Sequence, residues 1–349
     1  MSQKSRILTG MRPTGPLHLG HYVGALQQWL ELQATGQHDC FFLVADAQAL
    51  TDHADDPRLI QRSVRDVVLD WLAVGLDPQK SAFVLQSLVP ETFELEHLLA
   101  CITPQSWVER NPTLKAEIQQ LRGQRGQTVT SAFMRYPVSQ AADILNLAGA
   151  DRTPILVPVG EDQVPHIELT RDIARAFNSA YGNTLPEPQS RVGAVARLVG
   201  TDGQDKMSKS LGNVINLSDS ATVVRKQAMR MYTDPTRAKV SDPGHLEGNV
   251  PFMYLDIFDP DKAGLVDLKK RYEMGGVGDV EVKERLVKVL NVFLDPIRER
   301  RAKFEKEADI LAILYDGTAR ERIIAKQTLE VVKKAMGLNY MTARGLLSV

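Results

Sequence analysis

Cysteine is nearly absent: Cys40 and Cys101 are the two in 349 residues. They stand far apart without a Cys-x-x-Cys spacing, which excludes a zinc or iron–sulfur centre built from thiolates. Cys40 opens the apolar run Cys40-Phe41-Phe42-Leu43-Val44 and reads as a small buried hydrophobe. A reducing cytoplasm is the expected compartment. Long apolar runs are lacking too. Nothing approaches the length of a membrane span, and the run that follows Lys4 and Arg6 stops at Thr9, so no signal peptide is expected. Nor is there an excess of one charge, with 42 basic against 43 acidic residues. A protein that only coats nucleic acid is usually strongly basic, so any RNA contact must use local patches. Internal repeats and low-complexity segments are missing as well. What remains is an ordinary soluble composition, 43% hydrophobic and 24% charged, in a chain long enough for two domains.

The first half alternates short apolar runs with amphipathic ones, which predicts an α/β fold with a parallel sheet and crossover helices. Arg6 to Thr9 is the first strand, Gly10 to Pro16 a turn-rich loop, and a helix follows with Tyr22, Ala25, Leu26, Trp29 and Leu30 on one face. Further strands are predicted over Cys40–Ala45, Ala82–Leu85 and Ile155–Val159, the last with Pro158 marking a bulge or strand end. Pro57 opens a helix carrying Ile60, Val64, Val67, Val68, Trp71 and Leu72 at helical spacing. Ser106 to Thr130 is polar, basic and poorly periodic, and reads as an insertion between the two halves of the sheet. After about residue 215 strand runs disappear. Residues 1–215 are therefore expected to form the sheet domain, and 216–349 an appended, mostly helical one.

Two short runs carry the chemistry. In the first, the loop Pro13-Thr14-Gly15-Pro16-Leu17 leads from a strand end into His18-Leu19-Gly20-His21. Free backbone N–H groups and the dipole at a helix N-terminus favour anions. Gly20 leaves room for a nucleotide against the backbone, and two imidazoles three residues apart project from one side of the turn. On spacing alone, surface histidines at a polar helix start are the better reading. The second run is Lys206-Met207-Ser208-Lys209-Ser210. It follows the turn-forming Thr201 to Asp205 and reads as a mobile loop. Its two lysines are point charges that can follow a departing pyrophosphate, and Met207 can pin the loop to apolar surface.

In this order the two runs resemble the HIGH and KMSKS signatures of class I aminoacyl-tRNA synthetases. The resemblance implies a Rossmann-type sheet with ATP across the carboxyl ends of its strands. It also implies that an amino-acid carboxylate attacks the α-phosphate, with Mg²⁺ accompanying ATP, and that the adenylate then passes to tRNA. Tyr136-Pro137-Val138-Ser139-Gln140-Ala141-Ala142-Asp143-Ile144-Leu145, Val157-Pro158-Val159-Gly160-Glu161-Asp162-Gln163 and His166 to Asp172 are similar to segments of tryptophanyl-tRNA synthetases. That family implies Asp143 as acceptor of the indole N–H, and Tyr136 and Gln163 on the amino and carboxylate groups. It places Gly160 and Asp162 on the ribose side of ATP, with Thr14, Gly20, Lys206, Met207, Ser208 and Lys209 also at the nucleotide and Lys115 on a phosphate. Catalysis is expected from His18, His21, Lys115, Lys206 and Lys209. Read blindly, Asp143 is a carboxylate on a largely apolar helix, which is costly to bury unless something donates to it.

Tyrosyl enzymes share the Tyr136, Gln140 and Asp143 pattern but commonly place a tyrosine where this chain has Leu8, an apolar wall suited to a bicyclic ring. Tryptophan is therefore the expected substrate. The chain departs from many bacterial tryptophanyl enzymes at His21, Arg12, Gln48 and Gln140, and Arg12 and Gln48 make the pocket more polar. No separate editing domain fits the length. A site that must satisfy a buried carboxylate rejects analogues lacking the donor by about 10⁴–10⁵. Basic clusters on the tail (Arg298, Arg300, Arg301 and Lys303; Arg320, Arg322 and Lys326; Lys333 and Lys334) read as solvated faces or, on the family reading, as an anticodon-binding surface. That reading also implies a homodimer charging tRNA(Trp) with L-tryptophan in the cytoplasm. A nucleotidyltransferase that acts without tRNA, and an idle paralogue with a binding role, are the rivals from other classes.

Overall fold

The computed structural model describes residues 4–123, 128–193, 198–204, 207–234, 237 and 239–340. Five parallel strands, β1 (Ser5–Met11), β2 (His38–Val44), β3 (Ser81–Leu85), β4 (Ile155–Val159) and β5 (Gln189–Val192), lie in the order β3-β2-β1-β4-β5. Successive side chains leave a strand on opposite faces, and here both faces are buried, which is why the strands read as continuous apolar runs rather than alternating ones. Ile7, Phe42 and Phe83 enter one core with Trp29 and Trp71, while Leu8, Phe41, Leu43, Ala82 and Val84 enter the other. In the first core Trp29 stacks on Phe42 at 5.1 Å and Trp71 meets Phe83 edge-on at 5.4 Å. Each such pair adds about 0.5–1.5 kcal/mol beyond its buried area.

The chain enters the helical layers after β1 through one turn, α1 (Leu19–His21), a π-helical stretch at Tyr22–Leu26 and α2 (Gln27–Thr35). Between β2 and β3 run α3 (Asp46–His53) and α4 (Pro57–Val74). Asp56 caps α4 by accepting from Leu59 N–H, and Pro57 occupies the first turn where its missing N–H costs nothing. α5 (Pro90–Ala100), α6 (Gln105–Arg110), α7 (Pro112–Gly123) and α8 (Ser131–Leu145) follow β3, and α9 (Val164–Tyr181) joins β4 to β5. The expected insertion at 106–130 is thus helical up to Gly123. Its periodicity was present in Leu114, Ile118 and Leu121, which face the second core. β5 is the strand missing from the sequence reading, because Gln-Ser-Arg-Val on an exposed edge has no apolar run.

Beyond residue 215 the described chain is helical: α10 (Ala221–Arg230), α11 (Val250–Phe258), α12 (Lys262–Met274), α13 (Asp279–Glu307) and α14 (Ile310–Ala335). The last two return to the sheet. α13 packs along α4, and α14 lies on β3 so closely that a Cβ on Gly317 would sit 2.1 Å from Phe83 O. Thr318 Oγ1 accepts from Leu85 N–H at 3.0 Å. An open strand edge invites pairing with other chains, and α14 covers this one.

Candidate functional site

The strand order reverses between β1 and β4, where an open parallel sheet leaves a crevice at its carboxyl ends. β1 and β4 pair only at Arg6–Ile155 and Ile7–Leu156 and then diverge, with Thr9 Oγ1 donating to Pro158 O at 3.0 Å. A cavity of about 320 Å³ opens there, walled by Leu8 to Arg12 from β1 and its loop, Val157 to Gly160 from β4, and Tyr136, Gln140 and Asp143 from one face of α8. Gln48 and Gln163 line it as well. Nine of the sequence-predicted residues therefore meet in one cavity: Leu8, Arg12, His21, Gln48, Tyr136, Gln140, Asp143, Gly160 and Gln163.

Asp143 is buried at this cavity, and among the described residues no cation pairs with it. Gln86 Nε2 donates to both of its carboxylate oxygens, at 3.1 and 2.9 Å. Gln86 is itself oriented by Gln48 N–H, which donates to its Oε1 at 2.9 Å. Burial raises the Asp143 carboxyl to about 7, against the Gln86 hydrogen bonds and with help from Glu96 and Asp46. A nearly dry carboxylate with lone pairs to spare is an acceptor waiting for an N–H or O–H donor. Gln86 escaped the sequence reading, although its place directly after β3 was the available signal.

Tyr136 is held from two sides. Asn111 Nδ2 lies 3.2 Å from His166 Nδ1, so His166 carries its proton on Nε2 and donates it to the Tyr136 hydroxyl at 2.9 Å. The hydroxyl in turn donates to Glu117 at 2.5 Å. Burial lowers His166 to about 4, leaving it neutral, and raises the Tyr136 phenol with the Glu117 carboxylate adding to the effect. Glu117 and His166 are functional candidates that sequence reasoning did not single out.

The second part of the cleft, about 600 Å³, is lined by Arg12, Thr14, His18, His21, Met207, Ser208 and Lys209 and faces Asp52, Asp55 and Asp56. Here the two signature runs meet. Leu19 N–H donates to Ile215 O and Leu217 N–H to Leu17 O, both at 2.9 Å, forming a short antiparallel bridge. Leu17 N–H also donates to the buried Asp70 at 3.0 Å, and Arg301 from α13 holds the other Asp70 oxygen at 2.9 Å. His21 Nδ1 accepts from His18 N–H at 3.1 Å, so its proton sits on Nε2. The rings lie 3.8 Å apart. Burial, with Lys209 nearby, brings His18 down to about 4, and burial and the two neighbouring cations-to-be push His21 well below its ordinary range. Both imidazoles are neutral donors at pH 7. Lys209 reaches back to Gly15, whose φ of +115° admits no side chain easily and whose added Cβ would lie 3.4 Å from Lys209 Nζ. Burial lowers Lys209 to about 8, with Asp70 opposing. Met207 is buried in the first core, and an added Cβ on Gly20 would meet both His18 and Met207.

Other expected site residues sit differently. Lys115 is exposed on α7 and lines neither part of the cleft. Asp162 is tied into the turn after β4, where Thr113 Oγ1 donates to its carbonyl at 2.7 Å and Gln163 Nε2 donates to its carboxylate at 3.3 Å. Lys206 lies outside the described residues. Arg12 pairs with Asp52 at 2.8 Å and stands at the joint of the two parts. In the tail, Arg301, Arg322 and Lys333 are engaged with Asp70, Glu91 and Glu94 of the sheet half, and Arg300 donates to Ala73 O. These side chains are tethers, while Arg320, Lys326 and Lys334 remain exposed.

The chain belongs to the family of class I tRNA synthetases for W and Y, whose model matches residues 1–295. It is 47% identical to the tryptophan–tRNA ligase of Clostridium longisporum over 342 residues, 97% of this chain and 98% of that protein. It is 48% identical to that of Streptococcus pyogenes serotype M1 over 344 residues, 97% and 99% of the two. Among solved structures, tryptophanyl-tRNA synthetase from Campylobacter jejuni, complexed with ADP and tryptophan, superposes with a TM-score of 0.82 at 35% identity, covering 95% of this chain and all of that one. The Rossmann-type architecture expected from the two signatures is the one observed.

Proposed function

We propose that the chain is a tryptophan–tRNA ligase: it activates tryptophan with ATP and transfers the aminoacyl group to tRNA(Trp). The observation that carries this reading is the buried Asp143, doubly hydrogen-bonded by Gln86 and uncovered on its cavity side at the sheet's switch point. A carboxylate there accepts the indole N–H while Leu8 and Ile144 pack the bicyclic ring. Tyr136 and Gln163 take the amino and carboxylate groups, and Gly160 and Asp162 the ribose of ATP. The substrate carboxylate attacks the α-phosphorus in line with the departing pyrophosphate. His18 and His21 donate to oxygens where charge builds, Lys206 and Lys209 follow the leaving group, and Lys115 is the phosphate-contacting lysine by family position alone.

Mg²⁺, when bound, neutralises the phosphates. Among the described residues no three His, Cys, Asp or Glu side chains cluster to hold a metal. The same reading includes a homodimer, a cytoplasmic location and an anticodon-binding role for the helical part beyond residue 215. Among the described residues no helix is long and apolar enough to cross a membrane.

The test is ATP–pyrophosphate exchange with each of the twenty amino acids. Exchange with tryptophan alone is expected, followed by charging of tRNA(Trp). Exchange with tyrosine would overturn the role of Leu8, and no exchange with any amino acid would overturn the enzyme reading.

A further inference from the structure

Behind the pocket floor lies a second buried acid that the proposed chemistry does not use. Glu321, on the buried side of α14, is 1% exposed. Among the described residues no Lys or Arg pairs with it: Arg322, its neighbour, is taken by Glu91 of α5 at 2.8 Å. Its surroundings are acidic or neutral. Asp143 and Glu91 both act on it electrostatically, and Asn146, three residues beyond Asp143, is within reach of its carboxyl. Around Asp143 stand Glu96, paired with Arg135, and Asp46, bonded to Ser87.

Two atoms in this region lack a partner, Glu321 Oε2 and Asn146 Oδ1. Both are acceptors if Glu321 is a carboxylate. One of the two Asn146 amide protons goes to Thr92 Oγ1 at 2.8 Å, the other is within reach of the Glu321 carboxyl and opposes the effect of burial, and Asn146 O accepts from Thr328 of α14 at 2.7 Å. A proton on Glu321 Oε2 would turn that atom into a donor, and Asn146 Oδ1 is an acceptor in want of one. We infer that Glu321 is a positioning residue of the tryptophan pocket, a neutral carboxylic acid that donates to Asn146 and leaves the single negative charge of the buried pair on Asp143.

The chemistry is that of two acids sharing one low-dielectric site: when one ionises, its charge holds the proton on the other. Asp143 takes the charge because Gln86 Nε2 reaches both of its oxygens, whereas among the described residues the Asn146 amide, shared with Thr92, is the donor within reach of Glu321. In agreement, Glu321 is raised to about 8, by burial first and by Asp143 second, above the value of about 7 at Asp143. The last helix thereby enters the specificity site without touching the substrate. The link to tryptophan rests on the function proposed above, whereas the protonation of Glu321 does not.

The experiment compares the full-length wild type with Glu321→Gln, whose amide donates as the neutral acid does. Urea unfolding is followed from pH 5 to pH 8. A group with its folded pKa raised from about 4.5 to about 8 loses its contribution to stability as pH rises through that window. The folding equilibrium of Glu321→Gln should therefore gain on wild type by up to about tenfold per pH unit, and the gain should shrink in an Asp143→Asn background. The infrared carbonyl band of a protonated carboxyl should be present in wild type at pH 6 and weaker by one group in Glu321→Gln. A pH-independent gap, an unchanged band or a variant that fails to fold would each overturn the inference. In exchange assays KM for tryptophan, rather than kcat, should rise above about pH 8 in wild type and stay flat in Glu321→Gln. A KM that rises equally in both would overturn the link to the pocket. Absence of tryptophan-dependent exchange in wild type would instead count against the proposed function, with the unfolding result still deciding Glu321.

Discussion

The two parts of the cleft are built by opposite means. The cavity at Asp143 is finished before any ligand arrives: strands and one face of α8 form its walls, and its polar groups are tied to one another, Gln48 to Gln86 to Asp143 and Asn111 to His166 to Tyr136. The cleft at His18 and Lys209 is a junction of two loops, and its donors are short of partners. His18 Nδ1 is buried without one, and Lys209 has lost part of its hydration without an ion-pair partner within 4 Å among the described residues. Selection among amino acids needs a rigid site whose buried acceptor makes a wrong ligand costly. Charge that develops in a transition state needs donors left unsatisfied until then. On the proposed function, the difference teaches that specificity and chemistry draw on largely separate segments of chain, joined at Arg12 and His21, and can be broken separately.

The largest effect is expected at the chemical end. Lys209→Ala should lower kcat for tryptophan-dependent exchange by about 10²–10³ while tryptophan affinity, measured by equilibrium titration, changes little. An equal loss of affinity would erase the distinction between the two parts. At the other end, Asp143→Ala should collapse the preference for tryptophan over phenylalanine by about a hundredfold or more, read as a ratio of kcat/KM values. A preserved ratio would remove Asp143 from recognition.

The support between them comes next. Arg301→Ala leaves Asp70, and through it Leu17 N–H, without its cation, at a cost of about 3 kcal/mol in urea unfolding. The Asp143 cavity, which Arg301 does not line, should keep its affinity for tryptophan. The smallest effect is a pH dependence that splits the two ends. Asp143 gains its proton as pH falls through about 7, so KM for tryptophan should rise there by up to about tenfold per unit. Lys209 loses its proton as pH rises through about 8, so kcat should fall on that side. His18, near 4, should contribute to neither limb. A single limb affecting both constants would mean that the two parts titrate as one.

Local pattern was enough for much of this. The apolar runs of β1 to β4, the helix opened by Pro57 and the two signature strings are short-range features, legible because periodicity and turn chemistry act over a few residues. Asp143 was legible because a carboxylate among alanines and leucines is anomalous on its own helix. Contacts that bridge distant positions were not. Gln86 is 57 residues from Asp143 along the chain, and Glu117 and His166 meet only through Tyr136. The tail shows the same limit. Its arginines read as a solvated basic face, yet Arg301 and Arg322 lie more than 200 residues from the acids they hold.

From residue types and spacing alone came the class of fold and the anomaly of Asp143 on its apolar helix, and the resemblance to a known family added the roles proposed for the two signature strings and for that acid. Each depends on what a few neighbouring residues can do. Protonation states, the tautomers of His21 and His166, the donor to Asp143 and the return of α13 and α14 to the sheet waited on tertiary structure. Burial and long-range pairing set those properties, and neither is a property of any short stretch of chain.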